Sequence, residues 1–158
     1  MAAVIGLIAD THGQLRPEVI QALAGVHLIV HAGDVGPAAV LAGLSAIAPC
    51  FAVSGNVDDR DDPMLPRERS LPVGGLTLHV SHGDELGSPK PDALLARYDA
   101  DIIVYGHTHR ALVHRGPDGR LVVNPGAAGP RRFNLEPSVA ILTVDGRHAD
   151  VRIVPLRP

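Results

Sequence analysis

A chain of 158 residues, 46% of them hydrophobic, suits one domain over residues 1–158 with a sizeable core. With no Trp, two Tyr and two Phe, that core has to be aliphatic. The net charge is −3, no Lys/Arg block exists, and no apolar run approaches the ~20 residues that span a bilayer, so neither duplex nucleic acid nor a membrane is expected as a partner. Cys50 is the only cysteine, which excludes an intrachain disulfide and reads as a buried, inert thiol. The N-terminal stretch has no basic leader and reads as a strand, so a cytoplasmic location is expected.

Residues 4–9 form an apolar strand that runs into Asp10-Thr11-His12-Gly13. A helix over 16–24 follows, with Pro17 in its first turn and Gly25 past its end. Residues 27–31 form a second strand, then Ala32-Gly33-Asp34; a proline-opened helix over 37–47 leads to a third strand over 50–54 and Gly55-Asn56-Val57-Asp58. Strands alternating with helices predict right-handed crossovers and a parallel sheet. Residues 58–68 are charged, carry two prolines and read as a loop. A hairpin over 71–80 turns at Gly74-Gly75 and ends in Ser81-His82-Gly83-Asp84. A helix over 91–98 precedes a buried strand over 102–105, which breaks at Gly106 and delivers His107 and His109. Residues two apart in extended backbone share a side, so both imidazoles are expected to face one point. Strands over 111–115 and 120–124 pair across Gly116-Pro117-Asp118-Gly119, and a last hairpin joins 139–144 to 151–154. The parallel first third and hairpin-rich remainder together predict two sheets packed face to face with helices outside. Residues 71–80 and the C-terminal strands are also the stretches that would supply a homo-oligomer surface.

Five apolar strands are each followed at once by a turn bearing metal-ligating side chains. They are Asp10 with His12, then Asp34, then Asn56 with Asp58 two later, then His82, then His107 with His109. Each turn alone is ordinary; the repetition carries the signal. Ligands in α/β sheets bind beyond the carboxyl ends of strands, so five such ends would pool two carboxylates, one carboxamide and four imidazoles. That set suits Mn, Fe, Zn, Co or Ni, and seven ligands suit two ions sharing a bridge, with Asp34 the better candidate. Two divalent ions roughly 3.5–4 Å apart can hold the attacking and leaving oxygens of an in-line displacement and bring a bound water's pKa toward ~7. A metal-bridging hydroxide attacking a phosphoester is therefore the expected chemistry, with a small molecule or nucleotide ester as substrate. Structural zinc sites, rich in cysteine, are a poor match to this donor set.

Asp10-Thr11-His12, Gly33-Asp34, Gly55-Asn56, His82 and Gly106-His107-Thr108-His109 together resemble the calcineurin-like metallophosphoesterases over residues 4–132. The short length and Asn124-Pro125-Gly126 are most similar to the small bacterial and archaeal phosphodiesterases of that family. The resemblance implies an α/β, four-layer αββα sandwich of two mixed β-sheets flanked by helices. It implies a metal-dependent phosphoric ester hydrolase, a diesterase ahead of a monoesterase, with Mn as the usual ion. By the same resemblance Asp10, His12, Asp34 and His109 hold one ion, and Asp34, Asn56, His82 and His107 the other. Many members place a leaving-group-protonating histidine directly after the motif asparagine; here that position is Val57. A retromer scaffold subunit of the same fold, which works as a binding surface, is the competing reading. Asp58 is assigned to orienting Asn56 or a ligand imidazole and counted with the catalytic group. Arg110, Arg131 and Arg132 are the candidate substrate contacts, because a guanidinium fork matches phosphate. Rim segments 58–68, 84–89 and 126–133 are expected to set specificity. His27, His31, His79, His114 and His148 fall outside the pattern and read as packed or surface histidines.

Overall fold

The computed structural model describes residues 2–132 and 134–157; Phe133, at the end of the third rim segment, lies outside the described residues. The elements in chain order are β1 (Ala3–Ile8), α1 (Pro17–Ala22), β2 (Leu28–His31), α2 (Ala39–Ser45), β3 (Cys50–Ala52), β4 (Glu68–Val73) and β5 (Leu76–Ser81). They continue as α3 (Pro91–Arg97), β6 (Ile102–Val104), β7 (Leu112–Arg115), β8 (Leu121–Asn124), β9 (Ser138–Asp145) and β10 (His148–Pro155). Two mixed five-stranded sheets result, in the orders β10-β9-β1-β2-β3 and β4-β5-β6-β8-β7. In the first, β1, β2 and β3 are parallel and β9 is antiparallel to β1. In the second, β5, β6 and β8 are parallel, with antiparallel β4 and β7 at the edges.

Strand alternation builds the layers. Ile5, Leu7 and Val30 face Leu78, Val80, Ile102, Val104 and Val123 across the two sheets. Ile8 and Ile29 face outward, onto Val19, Leu23, Val40 and Leu44 of the α1–α2 side. On the far side Leu94 and Tyr98 of the α3 end cover Ile103 and Val122. That is the expected αββα sandwich. Its helices, six or seven residues each, are too short to persist in isolation and are held by these contacts. Fully burying one such aliphatic side chain contributes roughly 1.5–3 kcal/mol.

Two expectations change. Glu68 begins β4 rather than closing the loop, because Glu68 to Val73 pair antiparallel with β5. Residues 84–86 form a 3₁₀ turn inside the segment read as plain loop. Leu71, Val73, Leu76, Leu78 and Val80 belong to or pack on the inter-sheet core, as do Val151 and Ile153. The apolar periodicity of these strands therefore builds the inter-sheet core. No described helix is long and apolar enough to cross a membrane.

At one pole the two sheets are tied by main-chain acceptors: Arg115 donates to the Ala149 carbonyl at 2.8 Å and Arg147 to that of Gly75 at 2.8 Å. The Gly75 amide donates to the Gly146 carbonyl at 2.7 Å. The candidate site lies at the other pole, beyond the C-terminal ends of β1, β2, β3, β5 and β6.

Candidate metal centre

Five turns converge there. Asp10, His12 and His109 offer ligand atoms within 4.8 Å of one another, and so do Asp10, Asp34 and His82. His12 Nε2 stands 3.6 Å from Asp34 Oδ2, His82 Nε2 3.2 Å from the same oxygen, and His109 Nε2 3.5 Å from Asp10 Oδ1. Asp10 thus belongs to both groups, while Asp34 Oδ2 also reaches an imidazole of each. Asn56 and His107 adjoin the second group: His107 Nδ1 is 3.2 Å from Asn56 Oδ1, and the His82 and His107 ring centroids are 5.1 Å apart.

The geometry that delivers these side chains is not the extended one expected. Among the described residues, every non-glycine residue with positive φ is a candidate ligand: Asp10 (54°), His12 (48°), Asp34 (56°), His107 (72°) and His109 (62°). His107 and His109 reach different groups through left-handed turns, not one point through the pleat. Such conformations cost roughly 1–3 kcal/mol each and cluster at functional sites.

Backbone and carboxylate bonds fix the turns to each other. The Asp10 amide donates to the Gly33 carbonyl at 3.0 Å and the His12 amide to that of Asp34 at 2.9 Å. The His107 amide donates to Asp10 Oδ2 at 3.1 Å and the Val57 amide to Asp34 Oδ1 at 3.0 Å, which leaves one oxygen of each carboxylate facing inward. Gly55 has to be glycine, since a Cβ there would collide with the Asp34 carboxylate and amide. His82 donates from Nδ1 to the Ala32 carbonyl at 2.8 Å, so its Nε2 lone pair faces the site.

Asp58 differs from the expectation. Its carboxylate accepts from the amides of Val35, Gly36 and Gly55 at 2.8–3.1 Å, with no hydrogen bond to Asn56 or an imidazole among the described residues. It holds the Asp34 and Asn56 turns together, outside the reacting region. His31, read as a packed histidine, is fully buried with both ring nitrogens bonded to the first two turns. Its place two residues before Gly33-Asp34 was the only sequence signal. Arg60 was missed: it pairs with Asp84 at 2.6 Å, joining the first two rim segments. Of the three rim arginines, Arg132 lies close enough to act electrostatically on Asp10, His12 and His109. Arg131 lines a cavity with His109 and Arg132, and Arg110 is exposed.

The electrostatics are those of a site short of positive charge. Burial pushes the Asp10 carboxyl up to about 7, against the opposing pull of His82. Burial would raise Asp34 as well, but the nearby His82 imidazole and the bond from the Val57 amide outweigh it and hold the group at about 2. Burial, reinforced by Arg132, drives His109 down to about 4, and burial lowers His12. His82 moves up, since the Asp34 carboxylate 3.2 Å from its Nε2 and the charge of Asp10 overcome burial.

Three buried polar atoms aimed inward have no hydrogen-bond partner: Asp10 Oδ1, His12 Nε2 and His82 Nε2. Orphaned groups of this kind cost roughly 1–3 kcal/mol apiece. A carboxylate oxygen and two imidazole nitrogens with free lone pairs fit divalent cations of intermediate hardness.

Comparison with known proteins agrees. A probable metallophosphoesterase of the archaeon Methanothermobacter thermautotrophicus is 32% identical over 161 residues, covering 96% of this chain and 91% of that one. A probable metallophosphoesterase of Bacillus subtilis is 32% identical over 159 residues, covering 92% and 87%. Among solved structures, vacuolar protein sorting 29 of Cryptosporidium parvum superposes with a TM-score of 0.87 at 25% identity, over 99% of this chain and 92% of that one. The calcineurin-like phosphoesterase superfamily domain matches residues 4–147, and the chain belongs to that family.

Proposed function

We propose that this protein is a dinuclear metal-dependent phosphoesterase acting on phosphodiesters, with Mn first among the ions and Fe, Zn, Ni or Co as alternatives. The observation that carries this is the convergence of Asp10 Oδ1, His12 Nε2 and His82 Nε2 from both sheets, buried and without a hydrogen-bond partner, with Asp10 and His12 in left-handed backbone. Asp10, His12, Asp34 and His109 would hold one ion; Asp34, Asn56, His82 and His107 would hold the other. When bound, the ions supply Lewis-acid charge and an acidified water near neutral pH.

The chain's own groups prepare that chemistry. His82 is fixed in one tautomer by Ala32, so its lone pair is presented without reorganisation. His12 and His109, both shifted downward, stay neutral at working pH and keep their lone pairs available. Arg132 counters the negative charge of a phosphoester at the rim, with Arg110 and Arg131 as further contacts. Val57, 56% exposed beside Asn56, has no proton to donate, so an ester whose leaving group needs none is favoured. A cytoplasmic setting belongs to the same reading, supported by the lone Cys50, which leaves no intrachain disulfide.

The likeness to vacuolar protein sorting 29 supports a second reading, a binding module of the same fold. One assay separates them: Mn²⁺-dependent hydrolysis of bis-p-nitrophenyl phosphate, with Asp34→Ala and His107→Ala as controls. Turnover by the wild type, reduced at least ~10²-fold in either variant, is expected from the loss of a bridging or ligating group. A wild type inert under saturating Mn²⁺ would overturn the enzymatic reading.

A further inference from the structure

Two of the site's turns share a device. In Asp10-Thr11-His12 and in His107-Thr108-His109 a threonine stands between two candidate ligands, and all four flanking residues are left-handed. Each threonine hydroxyl is gripped by a fully buried polar side chain at the end of the neighbouring strand. His31 closes β2; its Nε2 lies 2.9 Å from Thr11 Oγ1, while the Gly33 amide donates to its Nδ1 at 3.1 Å. An amide can only donate, so Nδ1 carries the lone pair and Nε2 the proton. Thr11 Oγ1 then accepts from His31 and donates to the Val35 carbonyl at 2.9 Å, leaving one proton arrangement for the whole relay. Asn124 closes β8; its Nδ2 donates to the Gly106 carbonyl at 3.2 Å and to Thr108 Oγ1 at 3.0 Å, and its Oδ1 accepts from the Gly126 amide at 2.9 Å.

The two grips lie on different sheets and share no atom. His31 and Asn124 are each 0% exposed, so their polar groups have to be matched inside the protein. Their bonds run to the ligand turns and the backbone beside them, not to the core at large. Left-handed backbone at a non-glycine residue persists only when its surroundings over-determine it, and these bonds do so on both turns.

We propose that Thr11–His31 and Thr108–Asn124 are paired positioning clamps, which hold the two strained turns in ligand geometry before a cation arrives. The proposal rests on the reading of Asp10, His12, His107 and His109 as cation ligands. His31, Thr11, Thr108 and Asn124 are positioning residues; none faces the cation itself.

Thr11→Val and Thr108→Val test it, because each replaces a hydroxyl by a methyl of similar size. Mn²⁺ affinity is read by calorimetry at 25 °C, and the melting temperature of the chelator-treated protein is read beside it. Each valine variant is expected to bind Mn²⁺ roughly 10–100-fold more weakly, the range for losing a group that orients a ligand. Thr11→Ser and Thr108→Ser keep the hydroxyl and are expected to bind within about 3-fold of wild type. Thr11→Val/Thr108→Val should bind Mn²⁺ more weakly than either single variant, with losses that are coupled rather than independent, because the His107 amide ties the two turns through Asp10. A melting temperature that falls while Mn²⁺ affinity stays unchanged would show a merely structural role and overturn the proposal. So would valine variants that both fail to fold, since a positioning device does not carry the fold. A wild type that binds no Mn²⁺ would instead sink the metal-centre reading itself.

Discussion

Replacing Asp58 by asparagine exchanges one oxygen for an amide nitrogen and leaves the shape of the side chain intact. The native Oδ1 accepts from the Val35 and Gly36 amides at 3.1 and 3.0 Å, and Oδ2 from those of Val35 and Gly55 at 3.0 and 2.8 Å. An asparagine has only one acceptor oxygen. In either flip its NH₂ opposes backbone N–H groups: those of Val35 and Gly55 in one, those of Val35 and Gly36 in the other. At least one hydrogen bond to a charged group is lost, worth roughly 1.5–3 kcal/mol, and a donor–donor contact is added. The total is about 3 kcal/mol. For a chain of this size it should lower the melting temperature by about 6–12 °C, at roughly 2–4 °C per kcal/mol. Thermal unfolding followed by circular dichroism in chelator, where no cation can compensate, is the assay. Asp59→Asn is the control, because the Asp59 carboxylate accepts from the Asp61 amide within its own loop, at 2.9 Å, and its variant should stay within ~0.5 kcal/mol of wild type. An Asp58→Asn protein melting with the wild type would refute the account of Asp58 as the tie between the Asp34 and Asn56 turns.

With Val57 unable to protonate a leaving group, the wild type should cleave bis-p-nitrophenyl phosphate far faster than a dialkyl phosphate. Val57→His should narrow that ratio by at least ~10²-fold, the lower bound for general-acid help, and an unchanged ratio would remove the argument. Burial holds His31 near a pKa of about 3, against an ordinary 6.5, so the fold keeps it neutral. Below pH 6.5 the unfolded chain takes up a proton that the folded one refuses, and stability falls as pH falls, by ~1.4 kcal/mol per unit. Relative to His31→Gln, the wild type should therefore lose about 2 kcal/mol between pH 6.5 and 5 in urea unfolding with chelator; parallel pH profiles would contradict this.

The sandwich and the meeting of five strand ends were readable because both follow from periodicity. An apolar run such as 102–105 has to be buried, and a parallel arrangement aims every following turn at one pole. What periodicity does not encode is backbone handedness. The pleat argument brought His107 and His109 together by the wrong route, because left-handed φ at a histidine is imposed by tertiary bonds such as that from the His107 amide to Asp10, 97 residues away. Asp58 was misplaced for a similar reason: its partners, Val35 and Gly36, belong to a turn more than 20 residues upstream. The pairing of β8 with β6 was equally out of reach, since the hairpin signal at 116–119 specifies only β7 against β8.

Asp10, His12, Asp34 and Asn56 extend from one sheet, and His82, His107 and His109 from the other. Ions seated among them would rivet two laminae at a single end. The opposite end is already stitched without any ion, by Arg115 to Ala149, Arg147 to Gly75 and Gly75 to Gly146. Stripping the rivets would loosen that end without parting the laminae, because the His107 amide on Asp10, His82 on the Ala32 carbonyl and the apolar core between the sheets stay in place.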